Sequence, residues 1–216
     1  MDRMNPVLVV SPHLDDAVIS AGQFLAGRPG AVVVTMLAGA PNPPVIREWD
    51  NMSGFATSQE ALRARWAEDE RALAVVKATA VHLGFLDGQY EPAARADLAN
   101  ALVEQVEHFQ PEFVVGPLGV HHPDHERVRD AVLAANLDMP VWLYADLPYS
   151  VDRPQEAEAA LEAIESRGYA LELGLIGTGP LGAKIEALGC YPSQMQHHSI
   201  NTMIGAERFW RVNRVS

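Results

Sequence analysis

The chain has 216 residues, 48% of them hydrophobic and 20% charged, which suits one packed globular domain and excludes disorder, collagen-like repeats and coiled coil. Sixteen Lys and Arg against 28 Asp and Glu leave a formal net charge of -12. Such a field repels phosphate backbones and anionic lipid surfaces, so neither nucleic acid nor membrane is an expected partner. The single cysteine, Cys190, excludes an intrachain disulfide framework and a thiolate zinc cluster, so any metal must be held by His and carboxylate. No window approaches the roughly 20 apolar residues of a membrane helix. The first apolar run, Val7 to Val10, stops at Ser11 with no cleavage-type segment behind it, so a cytoplasmic protein is expected.

Short β-branched runs alternate with longer Ala-rich stretches along the chain. In order, the pattern predicts a strand at Val7 to Ser11, a helix at Asp16 to Ala26, a strand at Ala31 to Leu37 and a helix at Ser58 to Ala78. A strand at Val81 to Phe85, a helix at Ala93 to Phe109, a strand at Phe113 to Val115 and a helix at His125 to Asn136 follow. A strand at Val141 to Tyr144, a helix at Pro154 to Ser166, a strand at Ala170 to Leu175 and a helix at Gly182 to Leu188 complete the series. Near-continuous apolar strands between helices predict an α/β fold with a doubly wound, mostly parallel sheet, in a single domain over residues 1–216. The longest irregular stretch, Gly39 to Thr57, carries Pro41, Pro43, Pro44, Trp49 and Asp50. Its length fits a binding loop or a solvated connection equally.

Chemistry concentrates at two strand ends, where open α/β sheets bind ligands. Ser11-Pro12-His13-Leu14-Asp15-Asp16 follows the first strand and opens the first helix. His13 and Asp16 are three apart and can face one centre, offering the nitrogen and oxygen donors that zinc accepts, with Asp15 beside them. Alone, this motif reads more simply as a helix cap. A second cluster, Gly119-Val120-His121-His122-Pro123-Asp124-His125, follows the fourth strand and opens another helix. His13, Asp16 and one histidine of this cluster would make a two-His, one-carboxylate site with an open position, the form of catalytic zinc sites. Asp15 could then take a proton from a metal-bound water whose pKa falls to about 7, and the spare histidine, paired with Asp124, could serve as a cationic acid or oxyanion partner. Histidines 82, 108, 197 and 198 read as ordinary structural or surface residues, although His197 and His198 could reach the pocket from the C-terminal side.

His13-x-Asp15-Asp16 together with His122-Pro123-Asp124-His125 resembles the PIG-L or LmbE-like superfamily of zinc-dependent N-acetylglucosaminyl deacetylases. Two further segments carry the likeness: the helix from Arg65 through Glu68, Asp69 and Arg71 to Lys77 with His82 to Gly88 behind it, and Lys184 through Ala187 to Tyr191-Pro192-Ser193-Gln194. The resemblance implies a Rossmann-like fold and His13, Asp16 and His125 as zinc ligands, with Fe2+ or another divalent ion an alternative metal. It implies Asp15 as general base, and His122, oriented by Asp124, as the group that stabilises the tetrahedral intermediate and protonates the leaving nitrogen. The implied substrate is a small-molecule N-acetyl sugar or glycoconjugate that loses its acetyl group. Leu14 stands where the family has Pro, Ala17 stands after the acidic pair, and Val120 replaces an aromatic hydroxyl found in some members.

Asp50, Arg65 and Gln194 are candidate substrate contacts. No G-x-G-x-x-G follows the first strand and no G-x-S-x-G elbow occurs, so dinucleotide binding and covalent hydrolysis are unsupported. Two alternatives to N-deacetylation stay open: a zinc amidase for a larger amide conjugate, and a catalytically silent sugar- or metal-binding module. Self-association into a homo-oligomer is equally open.

Overall fold

The structure, a computed structural model, describes residues 5–174, 179–195 and 200–215. Its strands are β1 (Leu8–Ser11), β2 (Val32–Thr35), β3 (Thr79–His82), β4 (Val114–Pro117), β5 (Val141–Tyr144), β6 (Tyr169–Gly174) and β7 (Phe209–Arg214). The helices are α1 (Asp16–Ala26), α2 (Glu48–Met52), α3 (Ser58–Val75), α4 (Arg95–Phe109), α5 (Pro123–Ala134), α6 (Tyr149–Asp152), α7 (Pro154–Glu165), α8 (Leu181–Leu188), α9 (Pro192–Met195) and α10 (Ile200–Met203). One sheet takes all these strands in the order β3-β2-β1-β4-β5-β7-β6.

Strands β3, β2, β1, β4 and β5 run parallel, and their apolar runs follow from burial on both faces. Side chains alternate across the pleat. Val9 and Val33 meet α1, α3 and α8 in one core layer, while Leu8, Val10, Val32 and Val34 meet α4 and α5 in the other. A third cluster packs α7 against β5, β6 and β7 through Ile164, Leu143 and Trp210.

The expected doubly wound, mostly parallel sheet is present, with corrections at its rim. β7 was not predicted. It lies antiparallel between β5 and β6, so β6 joins the sheet only through β7. Its alternation is the reason it belongs there: Trp210 and Val212 pack against the third cluster while Arg211 points outward. β3 begins two residues before the expected Val81, since as an edge strand it starts on exposed Thr79, and Leu83 to Leu86 continue only as isolated bridges to Leu37 and Gly39. Leu175, the last residue of the expected sixth strand, lies outside the described residues, as do His197 and His198. No helix among the described residues is long and apolar enough to cross a membrane.

Helix α1 is broken at Ala21 (φ -138, ψ 24). The break frees the amides of Gln23 and Phe24, and both donate to the carboxylate of Glu207, at 2.8 and 2.9 Å. Lys184 of α8 balances that buried carboxylate at 2.8 Å, with both side chains fully buried. Removing one member of a buried ion pair leaves an uncompensated charge and costs about 3–5 kcal/mol. Lys184→Met is therefore expected to lower the urea midpoint of unfolding by that equivalent, whereas a surface change such as Lys77→Met is expected to leave it within about 0.5 kcal/mol.

Candidate metal centre and active site

The chain adds β2 and β3 on one side of β1 and β4 and β5 on the other, so strand order reverses between β1 and β4. The turns leaving these two strands lie side by side at the carboxyl edge, where such folds bind ligands. Each turn is locally self-consistent. Ser11 Oγ accepts from the amide of Ala17 and donates to the His13 carbonyl, pinning the entry to α1. His122 caps α5, its Nδ1 accepting from the Asp124 amide at 3.2 Å, and Pro123 takes the first helical position.

Asp16 sits between the two turns. Its Oδ2 accepts from the His13 amide and lies 3.2 Å from both His13 Nδ1 and His125 Nε2. Each of these rings turns its other nitrogen to a further carboxylate. His13 Nε2 lies 3.2 Å from Asp124 Oδ2, and His125 Nδ1 lies 2.7 Å from Asp146 Oδ1. Asp146 is fully buried and its Oδ2 accepts from the amides of Gly119 and Val120. His122 completes the cluster, with ring nitrogens of His13, His122 and His125 within 4.8 Å of one another.

These donors fit a divalent metal. Bonds of 2.0–2.2 Å at a tetrahedral angle put neighbouring ligand atoms about 3.4 Å apart, close to the 3.2 Å between Asp16 Oδ2 and each imidazole nitrogen. Metal-binding histidines commonly donate their second N–H to a carboxylate, as His13 does to Asp124 and His125 to Asp146. A second group, His13, Asp87 and Asp124, also has its donor atoms within 4.8 Å, but Asp124 is already engaged by the Gly88 amide and Arg127, and His13 Nε2 is 3.9 Å from Asp87. His13, Asp16 and His125 are the better cage.

Charge balance agrees with this choice. Burial opposes charge on His13, yet its bonds to Asp124 and Asp16 hold its pKa well above the usual value. Burial likewise opposes charge on His125, but Asp16 and Asp146 raise it to about 9. Against its own burial, Asp16 is held well below the carboxylate range by His125 and His13. The pocket thus keeps positive charge where a cation would sit. Burial, then the neighbouring Asp16, pushes Asp15 well above its ordinary value, and among the described residues no donor pairs with its carboxylate.

Two expectations change. Asp124 does not hold His122; its carboxylate goes to His13, and only its backbone amide reaches His122. Burial and the charges of His13 and His125 lower the pKa of His122 to about 4, against the cationic role expected of it. With Nδ1 accepting a backbone N–H, the neutral ring carries its proton on Nε2.

A cleft of about 390 Å³ opens over the cluster, lined by His13, Asp15, Asp16, His122 and His125 below and by Trp49, Arg65, Tyr90, Tyr149 and Gln194 higher up. Of the expected substrate contacts, Arg65 and Gln194 line it. Asp50 is fully buried, paired with Arg65 at 2.9 Å and accepting from the Tyr90 hydroxyl, so it anchors the wall from behind. Sequence reading missed Asp146 and Tyr149. The Tyr149 and His125 rings meet at 79° with centroids 5.7 Å apart, and burial with the nearby carboxylates Asp16 and Asp15 raises the Tyr149 pKa, keeping the phenol a donor. Tyr149, at the start of α6, thus lines the cleft although Val120 carries no hydroxyl.

Residues 8–136 match the family model described as PIG-L, GlcNAc-PI de-N-acetylase. The chain belongs to the PIG-L family. Members of this family are deacetylases, hydrolases acting on an amide bond. Among solved structures, a triple mutant of a deacetylase of the teicoplanin biosynthetic pathway is 30% identical, with TM-score 0.82 over 98% of this chain and 99% of that one. The zinc-inhibited form of teicoplanin deacetylase Orf2 is 26% identical, with TM-score 0.78 over 98% and 99%. The A40926 pseudoaglycone deacetylase Dbv21 is 26% identical, with TM-score 0.75 over 99% of each. No curated protein matches the chain by sequence. The PIG-L match ends at residue 136 and so covers both clusters but not Asp146.

Asp146→Asn keeps one acceptor for the Gly119 and Val120 amides while weakening its hold on His125. Loss of such an outer partner typically costs 10–100-fold in metal affinity, and that is the expected loss in a chelator competition, with the far-UV circular dichroism unchanged.

Proposed function

We propose that this PIG-L member hydrolyses the acetamido group of an amino sugar carried on a small-molecule glycoconjugate, releasing acetate and a free amine. The observation that carries the reading is Asp16 set between two histidines that are each backed by a carboxylate, with the Asp15 carboxylate and the His122 ring at the same cleft floor. A pure binding site has no need of a free base beside a metal cage. The relatives named for teicoplanin and A40926 pseudoaglycone deacetylation support the substrate class.

His13, Asp16 and His125 would hold the metal. When bound, a divalent ion supplies Lewis acidity to the amide carbonyl and lowers the pKa of water. Asp15 takes one proton from the attacking water and returns it to the nitrogen as the carbon–nitrogen bond breaks. This assigns both transfers to Asp15, because the Nε2–H of neutral His122 can donate a hydrogen bond but is far too weak an acid to give up its proton. His122 and the Tyr149 phenol instead hydrogen-bond the developing oxyanion. We assign zinc as the metal, with Fe2+ the alternative. Orf2 is known in a zinc-inhibited form, so the metal test runs to excess.

Chelator-stripped protein is expected to regain amine release from N-acetylhexosamine glycosides at one equivalent of divalent metal. Asp15→Asn is expected to retain the metal while kcat falls by about 10²–10⁴, the usual contribution of a positioned acid–base group. Acetate and amine are quantified together; amine release with a longer acid and no acetate would redirect the reading to a larger amide. Full activity without metal, or in Asp15→Asn, would overturn it.

A further inference from the structure

Arg65, Glu68 and Asp69 share one face of α3 by their i, i+3, i+4 spacing. Each reaches a different part of the cleft wall. Arg65 pairs with Asp50 of α2. Glu68 is 5% exposed and accepts from both the amide of Ser193, at 3.2 Å, and its hydroxyl, at 2.5 Å. Asp69 accepts from the Tyr191 hydroxyl at 2.7 Å. The two walls touch, since Ser53, just past α2, donates its hydroxyl to the Ser193 carbonyl at 3.3 Å. Helices of five and four residues, as α2 and α9 are, cannot sustain themselves in water. These tethers help to hold both helices, and with them the cleft residues Trp49 and Gln194 that they carry.

The Glu68 tether also sets a direction. A carboxylate only accepts, so the Ser193 hydroxyl proton is committed to Glu68. Ser193 Oγ can then only accept from Gln194, which it does from Nε2 at 3.2 Å. The Gln194 amide is thereby turned with Nε2 toward Ser193, which leaves Oε1 as the acceptor that this cleft-lining residue can offer.

We propose that Glu68 is a positioning residue for substrate recognition: through Ser193 it orients the Gln194 amide so that Oε1 accepts from a donor on the substrate, a sugar hydroxyl or amide N–H. The proposal rests on the deacetylase reading for its substrate, but the orientation is a property of the chain alone. Among the described residues no cation pairs with Glu68; two donors from Ser193 stabilise its carboxylate, and together they fix the Ser193 rotamer more tightly than either alone.

The test has a ligand-free arm and a kinetic arm. In hydrogen exchange, Glu68→Gln and Ser193→Ala are expected to speed exchange in 191–195 and in 48–53, while 8–16 and 114–125 stay as in the parent. A rise spread evenly over all four segments, or none, would overturn the tether. In steady-state kinetics on N-acetylhexosamine glycosides, each variant and Gln194→Ala are expected to raise KM about tenfold, the worth of one hydrogen bond, with kcat within about twofold. Glu68→Gln combined with Gln194→Ala is expected to be no worse than Gln194→Ala alone, because the two act in one chain. Additive losses, or a fall in kcat with KM unchanged, would overturn the orienting role. If the parent protein releases no amine from any glycoside, the deacetylase reading fails and the exchange arm still decides the tether.

Discussion

The site depends on one carboxylate placed where strand order reverses. Asp16 is nearly buried, and a buried charge must be compensated locally. Compensation comes from both sides of the reversal: the His13 amide and ring from the β1 turn, and the His125 ring from the α5 helix after β4. Neither turn could satisfy Asp16 alone. The parallel pairing of β1 with β4 therefore does more than build the sheet, because it sets the spacing between two donor groups 109 to 112 residues apart in sequence.

Compensation does not stop at the histidines. Asp124 crosses the cleft to His13, and Asp146 backs His125 from the loop after β5. Three carboxylates thus surround two imidazoles, an excess of negative charge that the buried rings offset by holding protons. A divalent cation would replace those protons in the same field. A few of the 28 acidic residues therefore do specific electrostatic work, and the overall acidity of the chain, which argues against polyanionic partners, says nothing of where they lie.

What was legible in the sequence was what local spacing decides. His13 with Asp16, and His122 with His125, each fall three apart at a strand-to-helix turn, so motif and geometry coincide. The parallel strands were legible because burial on both faces makes them almost wholly apolar. Asp146 and Tyr149 were not, since nothing near them in sequence distinguishes them; their roles arise from contacts with His125, 21 and 24 residues before them. Asp124 was found but assigned to the wrong neighbour. A residue beside a histidine in sequence invites pairing with it, yet Asp124, the second residue of α5, gives its cap His122 only its backbone amide and sends its carboxylate to the opposite turn. β7 was missed for a related reason: an alternating strand that pairs antiparallel beyond the parallel block gives no continuous apolar run.

The C-terminal strand nevertheless reaches back to the chemistry. Glu207, two residues before β7, captures the amides freed by the break in α1, and Arg208 accepts from the Ala145 amide at 2.9 Å. Just before the break, Ser20 Oγ accepts from the Leu147 amide at 3.1 Å. The segment 145–149 carries Asp146 and Tyr149 and is thus fastened on one side to α1, whose first residue is Asp16, and on the other to the entry of β7. An unbroken α1 would lack the free amides that Glu207 occupies, and the buried carboxylate would keep only Lys184. The break in α1, the buried Lys184–Glu207 pair and the antiparallel strand form one device. It registers the loop behind His125 against the helix that carries Asp16, and so couples the C-terminal strand of the sheet to the placement of the metal cage.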